Sequence, residues 1–134
     1  MITILLCDDD PNVSDAVITY LKWHGYEAAH VRSMTEAEAF LKKSPADLLI
    51  CSIFLPLRPG EADCGDLLSL VERLEGLKSK RMKILLIGPE QPEDEEWRIL
   101  RKKKFYFLLK YACMEKWLEK IRVIAGGTDG VPAR

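Results

Sequence analysis

Short apolar runs alternate with segments of helical periodicity along the whole chain. Continuous apolar runs of this length are typical of strands that are buried on both faces of a parallel sheet. The segments between them place apolar residues three and four positions apart, which predicts helices with one buried face. The pattern therefore predicts strands and helices in alternation. The five strands are predicted at residues 2–7, 28–31, 48–51, 84–87 and 105–109.

The predicted helices carry start and stop signals. Pro11 fits the first position of a helix capped by Asp10, and Gly25 ends that helix. Residues 33–36 have the composition of a capping box. The fourth helix, around Trp97, begins with acids and ends with bases, which complements the helix dipole.

Strict alternation of strands and helices implies right-handed crossovers and a parallel sheet covered on both faces, an α/β fold. In such sheets ligands bind beyond the carboxyl ends of the strands. The residues predicted to lie there are the acids at 8–10, the segment 52–55, Gly88 and Lys110.

Composition narrows the class of protein. The chain has 134 residues, 48% hydrophobic and 31% charged, with a net charge of −1, which suits one globular domain and gives no broad field for nucleic acid or a membrane surface. No apolar stretch approaches the ~20 residues that span a bilayer. The four cysteines are widely spaced, which argues against a zinc site and predicts a reducing, cytoplasmic location.

Two surface features follow from charge and from the end of the chain. An acidic run at residues 90–96 lies between basic clusters at 78–83 and 101–104. These charges are either solvated helix ends or a surface for a charged protein partner. Residues 1–125 are predicted to form the domain, and residues 126–134 a flexible tail or linker.

Four stretches bring chemistry-bearing residues to the predicted strand ends. They read ILLCDDDP at 4–11, PADLLICSIFLP at 45–56, KILLIGP at 83–89 and FLLK at 107–110. In this order and spacing they resemble the receiver domains of response regulators, the CheY-like family, over nearly the whole chain. The resemblance implies a flavodoxin-like (βα)5 doubly wound fold with a five-stranded parallel sheet in the order 2-1-3-4-5.

The resemblance also implies a chemistry. In the family an aspartate accepts a phosphoryl group, Mg²⁺ held by the acids neutralises charge, and a lysine pairs with the phosphoryl group. A hydroxyl at the fourth strand's end and a mobile aromatic residue then switch the outer surface. On this chain, Asp8 and Asp9 match the acidic pair, Lys110 matches the lysine, and Phe107 matches the switch aromatic.

The departures from the family pattern change the prediction. Ser52 stands where the phospho-accepting aspartate is expected, and Gly88 stands where the hydroxyl is expected. A serine hydroxyl is a poor nucleophile without an adjacent base, and it is no anionic metal ligand. We therefore predict a pseudo-receiver without cofactor, in which Mg²⁺ binding at Asp8 and Asp9 is weak or lost. Lys110 is expected to pair directly with Asp9 or Asp8.

Further departures and two aromatic side chains bear on the surface. Tyr111 replaces a proline after the lysine, and the loop between residues 56 and 65 is about five residues longer than in the family, with Cys64 in place of a common aspartate. Spacing predicts that Trp117 is in the core. Phe107 is expected to be packed rather than mobile, because the hydroxyl that would drive its movement is absent. Trp97 and Tyr111 are the predicted exposed anchors on the face formed by the fourth and fifth helices.

The predicted function is a phosphorylation-independent protein-interaction module in two-component signalling. Its partners would be a histidine kinase, an output domain or another regulator, and the face of the fourth and fifth helices is a candidate for homodimer contacts. Neither nucleic acid nor membrane is an expected partner.

Two other functions stay open at this point. Asp8-x-Asp10 after one strand and Ser52 after another also resemble motifs of a minimal Mg²⁺-dependent phosphohydrolase of the haloacid-dehalogenase type. The chain is short for that class, and no acidic pair closes its fourth strand. A flavodoxin-like nucleotide or flavin binder is the third reading, although three acids in the first loop would repel a phosphate.

Overall fold

A computed structural model describes residues 2–126 of the chain. Five parallel strands form one sheet in the order β2-β1-β3-β4-β5, with five helices in alternation, as predicted. The strands are β1 Thr3–Cys7, β2 Glu27–Val31, β3 Leu48–Ser52, β4 Lys83–Gly88 and β5 Tyr106–Leu109. The helices are α1 Pro11–Trp23, α2 Met34–Lys43, α3 Leu67–Leu77, α4 Asp94–Lys103 and α5 Met114–Ala125.

Two apolar cores lie on opposite faces of the sheet because successive strand side chains point to opposite sides. Leu5 and Cys7 of β1 belong to the core under α2, α3 and α4, whereas Ile4 and Leu6 belong to the core under α1 and α5. All five residues of β3 are buried. The central strand therefore has helices above and below it, as the continuous apolar runs predicted.

The predicted helix starts are confirmed. The side chain of Asp10 accepts a hydrogen bond from the Asn12 N–H at 3.1 Å, with Pro11 at the first position of α1. Ser33 caps α2 by accepting from the Glu36 N–H at 3.3 Å. Each cap satisfies backbone donors that the first turn of a helix leaves without intrahelical partners.

The strand bounds differ slightly from the predicted ones. The strand β4 extends through Gly88, and β5 begins at Tyr106 rather than at residue 105. Phe105 lies in the turn that ends α4, because Lys104 adopts a left-handed conformation and the Phe105 N–H bonds the Leu100 carbonyl at 2.9 Å. The predicted tail at 126–134 lies, apart from its first residue, outside the described residues. Within the described part, no helix has the length and apolarity that crossing a membrane requires.

Lys104 offers a test of the helix end, because its φ of 60° is a conformation that glycine adopts without the steric cost of a Cβ. We expect Lys104→Gly to raise the free energy of unfolding by about 0.5–1 kcal/mol, measured by urea denaturation. The control is Lys102→Gly inside α4, which should lower it by about 1 kcal/mol. A loss of stability in Lys104→Gly comparable with the control would contradict the assignment of this helix end.

Candidate functional site

Four strand ends meet at one edge of the sheet and bring the predicted site residues together. Ser52 and Gly88 are the last residues of β3 and β4, and Asp8 and Lys110 directly follow β1 and β5. The parallel register fixes this arrangement, since Cys7 pairs with Cys51, Ser52 with Ile87, and Gly88 with Leu109. The Lys110 N–H also bonds the Gly88 carbonyl at 2.8 Å.

A buried ion pair occupies the centre of this edge. Asp8 is fully buried, and the Lys110 side chain is only 11% exposed. Lys110 Nζ donates to Asp8 Oδ1 at 3.2 Å, and it lies 3.2 Å from Oδ2 and 3.5 Å from Asp10 Oδ2. Asp8 Oδ1 also accepts from the Asp10 N–H at 3.1 Å. Of the two predicted partners, Asp8 therefore pairs with Lys110, whereas the side chain of Asp9 is exposed and makes no ion pair with the described residues.

The environment of the lysine favours its charged form. Burial by itself lowers the pKa of Lys110, because it disfavours the ammonium ion. The charge of Asp8, its hydrogen bond and the charge of Asp10 act in the opposite direction and together raise the pKa above its ordinary value of 10.5. At neutral pH the site therefore contains an ammonium ion held by two carboxylates.

Ser52 is buried at the tip of β3. Its hydroxyl oxygen accepts a hydrogen bond from the Phe54 N–H at 3.2 Å, as in a local turn. Within residues 2–126 no carboxylate or imidazole accepts its proton. Activation of a serine nucleophile requires such a base.

Gly88 is covered by an apolar side chain that the sequence reasoning missed. A Cβ at this position would lie 2.8 Å from Ile53 Cδ1 and 3.4 Å from Phe107 Cε2. Ile53 therefore fills the space that a side chain at residue 88 would need. Phe107 is buried and meets Trp97 edge to face, with ring centroids 6.0 Å apart, so its predicted packing is confirmed. Two sequence features could have revealed the contact: a glycine, Gly88, at the end of β4, and a large apolar residue, Ile53, directly after Ser52 at the end of the neighbouring strand β3.

His30 is the second residue that sequence reasoning missed. It lies on β2 opposite Leu6, and its Nε2 donates to the backbone carbonyl of Asp8 at 2.6 Å. A carbonyl oxygen can only accept, so this contact places the proton on Nε2. The bond fixes the backbone from which the buried carboxylate projects.

The donor set does not fit the Mg²⁺ that the family resemblance implies. Asp8 Oδ2 is buried without a hydrogen-bond partner, which would suit a cation, but the ammonium of Lys110 lies 3.2 Å from it. Ser52 contributes a neutral oxygen, and Asp9 is exposed. In the described part of the chain no group of three His, Cys, Asp or Glu side chains is arranged to hold a metal ion. Mg²⁺ is usually held by one or two carboxylates together with waters, and here the carboxylates of Asp8 and Asp10 already contact Lys110.

One of the two predicted exposed anchors is wrong. Trp97 is only 4% exposed, because it lies one turn before Leu100 and both face the core from the inner side of α4. The other apolar residue of α4, Ile99, is partly buried against the same core, and the remaining residues of the helix are charged. Tyr111 is 69% exposed, and Trp117 is fully buried, as its spacing predicted.

The fold and these strand ends match a known family. Residues 4–122 match the family model described as "Response regulator receiver domain". The chain belongs to this family. It is therefore a response regulator receiver domain, the signal-receiving unit of two-component signalling. Membership of this family implies signalling partners such as kinases or output domains. No curated protein matches the sequence significantly.

Solved receiver structures have the same fold. A two-component response regulator from Clostridium difficile superposes with a TM-score of 0.77 at 18% identity, over 96% of this chain and 99% of that one. A CheY-like receiver domain protein from Methanospirillum hungatei JF-1 gives 0.73 at 22% identity, over 94% and 95%. The chemotaxis protein CheY4 of Vibrio cholerae gives 0.74 at 20% identity, over 92% and 98%. At these identities the likeness shows the fold.

The ion pair of this receiver can be tested through stability. We expect Lys110→Met to lower the free energy of unfolding by about 3 kcal/mol, because it leaves the buried Asp8 carboxylate without its cation. Urea denaturation at neutral pH measures the loss. The control is Lys116→Met on α5, an exposed position that should change stability by less than about 0.5 kcal/mol.

The difference in unfolding free energy between wild type and Lys110→Met should also depend on pH in a defined direction. Because the folded-state pKa of Lys110 is raised, its contribution is complete below the ordinary lysine value and is lost as the pH rises through the raised value. The difference in unfolding free energy between wild type and Lys110→Met should stay constant from about pH 7 to about pH 10 and shrink above that. A difference that disappears below about pH 9 would contradict the assignment.

Proposed function

We propose that this receiver is a pseudo-receiver, which acts as a protein-interaction module in two-component signalling without being phosphorylated at the tip of β3. The observation that carries the proposal is the pairing of Lys110 with Asp8 beside a buried Ser52. The lysine that would meet an incoming phosphoryl group is held by the protein's own carboxylates. The side chain that would attack the phosphorus is a hydroxyl whose oxygen accepts a backbone N–H.

The surroundings of Ser52 support the same proposal. Phosphoryl transfer depends on stabilising the charge on the transferred group. Here the carboxylates of Asp8 and Asp10 lie against the lysine, and Ile53 fills the space beside Gly88. The nearby Cys51 is no substitute nucleophile. Burial first, and then the neighbouring Cys64 and Asp8, raise its pKa, so its thiol stays protonated.

The phosphohydrolase alternative finds no favourable geometry. It would use Asp8 and Asp10 around Mg²⁺, but both carboxylates contact Lys110, and Asp10 also caps α1. The flavin-binding alternative would need a phosphate cradle near the same acids, which would repel it. Free thiols at all four cysteines are consistent with a reducing compartment, and we propose a cytoplasmic location.

The phosphorylation claim predicts no covalent adduct. The whole chain incubated with acetyl phosphate and Mg²⁺ should retain its unmodified mass in intact-protein mass spectrometry, because no carboxylate stands at the tip of β3 to attack the phosphorus. A receiver with an aspartate acceptor, treated in parallel, is the positive control. A stable adduct of one phosphoryl group on this chain would refute the proposal, and its loss in Ser52→Ala would identify the acceptor.

The proposed partner face comprises α4, β5 and α5. An open hollow of about 450 Å³ on this face is lined by apolar Leu108, Leu109 and Ala112 and by the bases Lys116 and Lys120. Burial lowers the pKa of Lys120, because it disfavours the ammonium ion. Exposed Tyr111 stands at the start of the β5–α5 loop and is the aromatic residue that we assign as an anchor.

A second copy of the chain is the partner that can be tested directly. We expect sedimentation velocity to show self-association that Tyr111→Asp weakens about tenfold or more, since it places a charge in the apolar contact. Trp23→Asp is the control, because Trp23 is also exposed but lies at the end of α1. Sedimentation as a monomer at every concentration would exclude the homodimer and leave this face to another signalling protein.

A further inference from the structure

A second groove adjoins the α4–β5–α5 face and shares Gln91 and Phe107 with the hollow on that face. It lies beside the site, between the loop after β3 and the loop after β4. Its volume is about 140 Å³. Phe54 and Leu67 form one wall, Pro89 and Pro92 form the other, and Ile53 and Phe107 line it from the site. We call it the Phe54 groove. A cavity of ~150 Å³ holds a benzene ring, so this groove has room for one medium-sized apolar side chain.

The Phe54 side of the groove is held in place by hydrogen bonds of the backbone. The Phe54 N–H bonds Ser52 Oγ, and the Leu55 N–H bonds the Ser52 carbonyl at 3.1 Å, so a tight turn presents the Phe54 ring. Further along the loop, the Pro56 carbonyl accepts from the Met34 N–H at 2.9 Å. The Phe54 ring nevertheless remains 55% exposed. Because the turn is fixed, a partner that contacts this ring would not have to order the loop first.

The negative charge around the groove indicates the charge that its partner should have. Glu90, Glu93 and Glu96 line it, and no lysine or arginine does. Glu93 and Glu96 form the capping box of α4, and the helix dipole favours carboxylates at this position. Glu90 is exposed on the preceding loop. Residues 89–98 together contain five acids and one base, Arg98. The rim is therefore acidic and would attract a cationic partner.

We propose that the Phe54 groove binds a peptide segment of another protein, in which one apolar side chain is flanked by lysine or arginine. The apolar side chain enters between Phe54 and the two prolines, and the basic residues meet the glutamates of the rim. This proposal goes beyond the pseudo-receiver function, because it rests on the groove and holds whether or not Ser52 accepts a phosphoryl group.

The position of the groove gives the peptide a route to the rest of the domain. Its occupant would touch Ile53 and Phe107, the two side chains that lie over Gly88. Phe107 in turn packs against Trp97 of α4. A bound segment would therefore contact the side chains that separate the site from the α4–β5–α5 face.

Peptide selection on the whole chain tests this proposal. Random peptides displayed on phage are selected on immobilised protein, and the strongest binder is synthesised with a fluorescent label for anisotropy titration. We expect selected sequences to combine an apolar residue with flanking lysine or arginine, and binding to weaken as salt is raised. Glu90→Lys and Phe54→Ser should each weaken binding about tenfold.

Two matched variants control for charge and for apolar surface. Glu119→Lys makes the same charge change at an exposed position of α5, and Trp23→Ser removes an even more exposed ring at the end of α1. Both should bind as the wild type does. Selection of no peptide, selection of acidic or uncharged peptides, or binding that survives Glu90→Lys and Phe54→Ser would each overturn the proposal. So would self-association that Glu90→Lys abolishes, because the groove would then belong to a second copy.

Discussion

The buried charge of Asp8 is the constraint on which the rest of this edge depends. A fully buried carboxylate needs a compensating cation, since moving it out of water costs several kcal/mol. In this chain the cation is the ammonium of Lys110, 102 residues away in sequence and 3.2 Å away in space. The pair ties the end of β1 to the end of β5 across the two strands between them. The charge of the buried Asp8 is thus compensated by another residue of the same chain.

A second contact at this edge is apolar and lies over Gly88. With glycine at the end of β4, Ile53 leans over the backbone and meets Phe107, which is itself held by Trp97. Close packing makes such an arrangement resist rearrangement, because moving one side chain would open a void beside the others. Charge neutralisation at Asp8 and filled space at Gly88 are independent features. Both show that groups of the protein itself already occupy this edge of the sheet. That agreement is the physical basis for our proposal that the domain acts as an interaction module.

The two surfaces that we assign to partners differ in chemistry. The α4–β5–α5 face combines apolar residues with lysines, whereas the Phe54 groove combines apolar residues with glutamates. Opposite charge at two adjoining surfaces favours different partners at each, because like charges across an interface are repelled. Phe107 borders both surfaces. A receiver with this arrangement could join two proteins through one small domain.

The sequence by itself determined the fold and the places of the strand ends. Hydrophobic periodicity is a local property, so the alternation of strands and helices, the cap at Asp10 and the alignment of Ser52, Gly88 and Lys110 at one edge could be read from it. The tertiary structure decided which groups touch. Periodicity does not say that Lys110 selects Asp8 and Asp10 over Asp9, nor that Ile53 covers Gly88. Trp97 was misassigned although its spacing from Leu100 places both residues on one face of α4. That this face is buried depends on neighbours such as Phe107 of β5, which are fixed only when the sheet assembles.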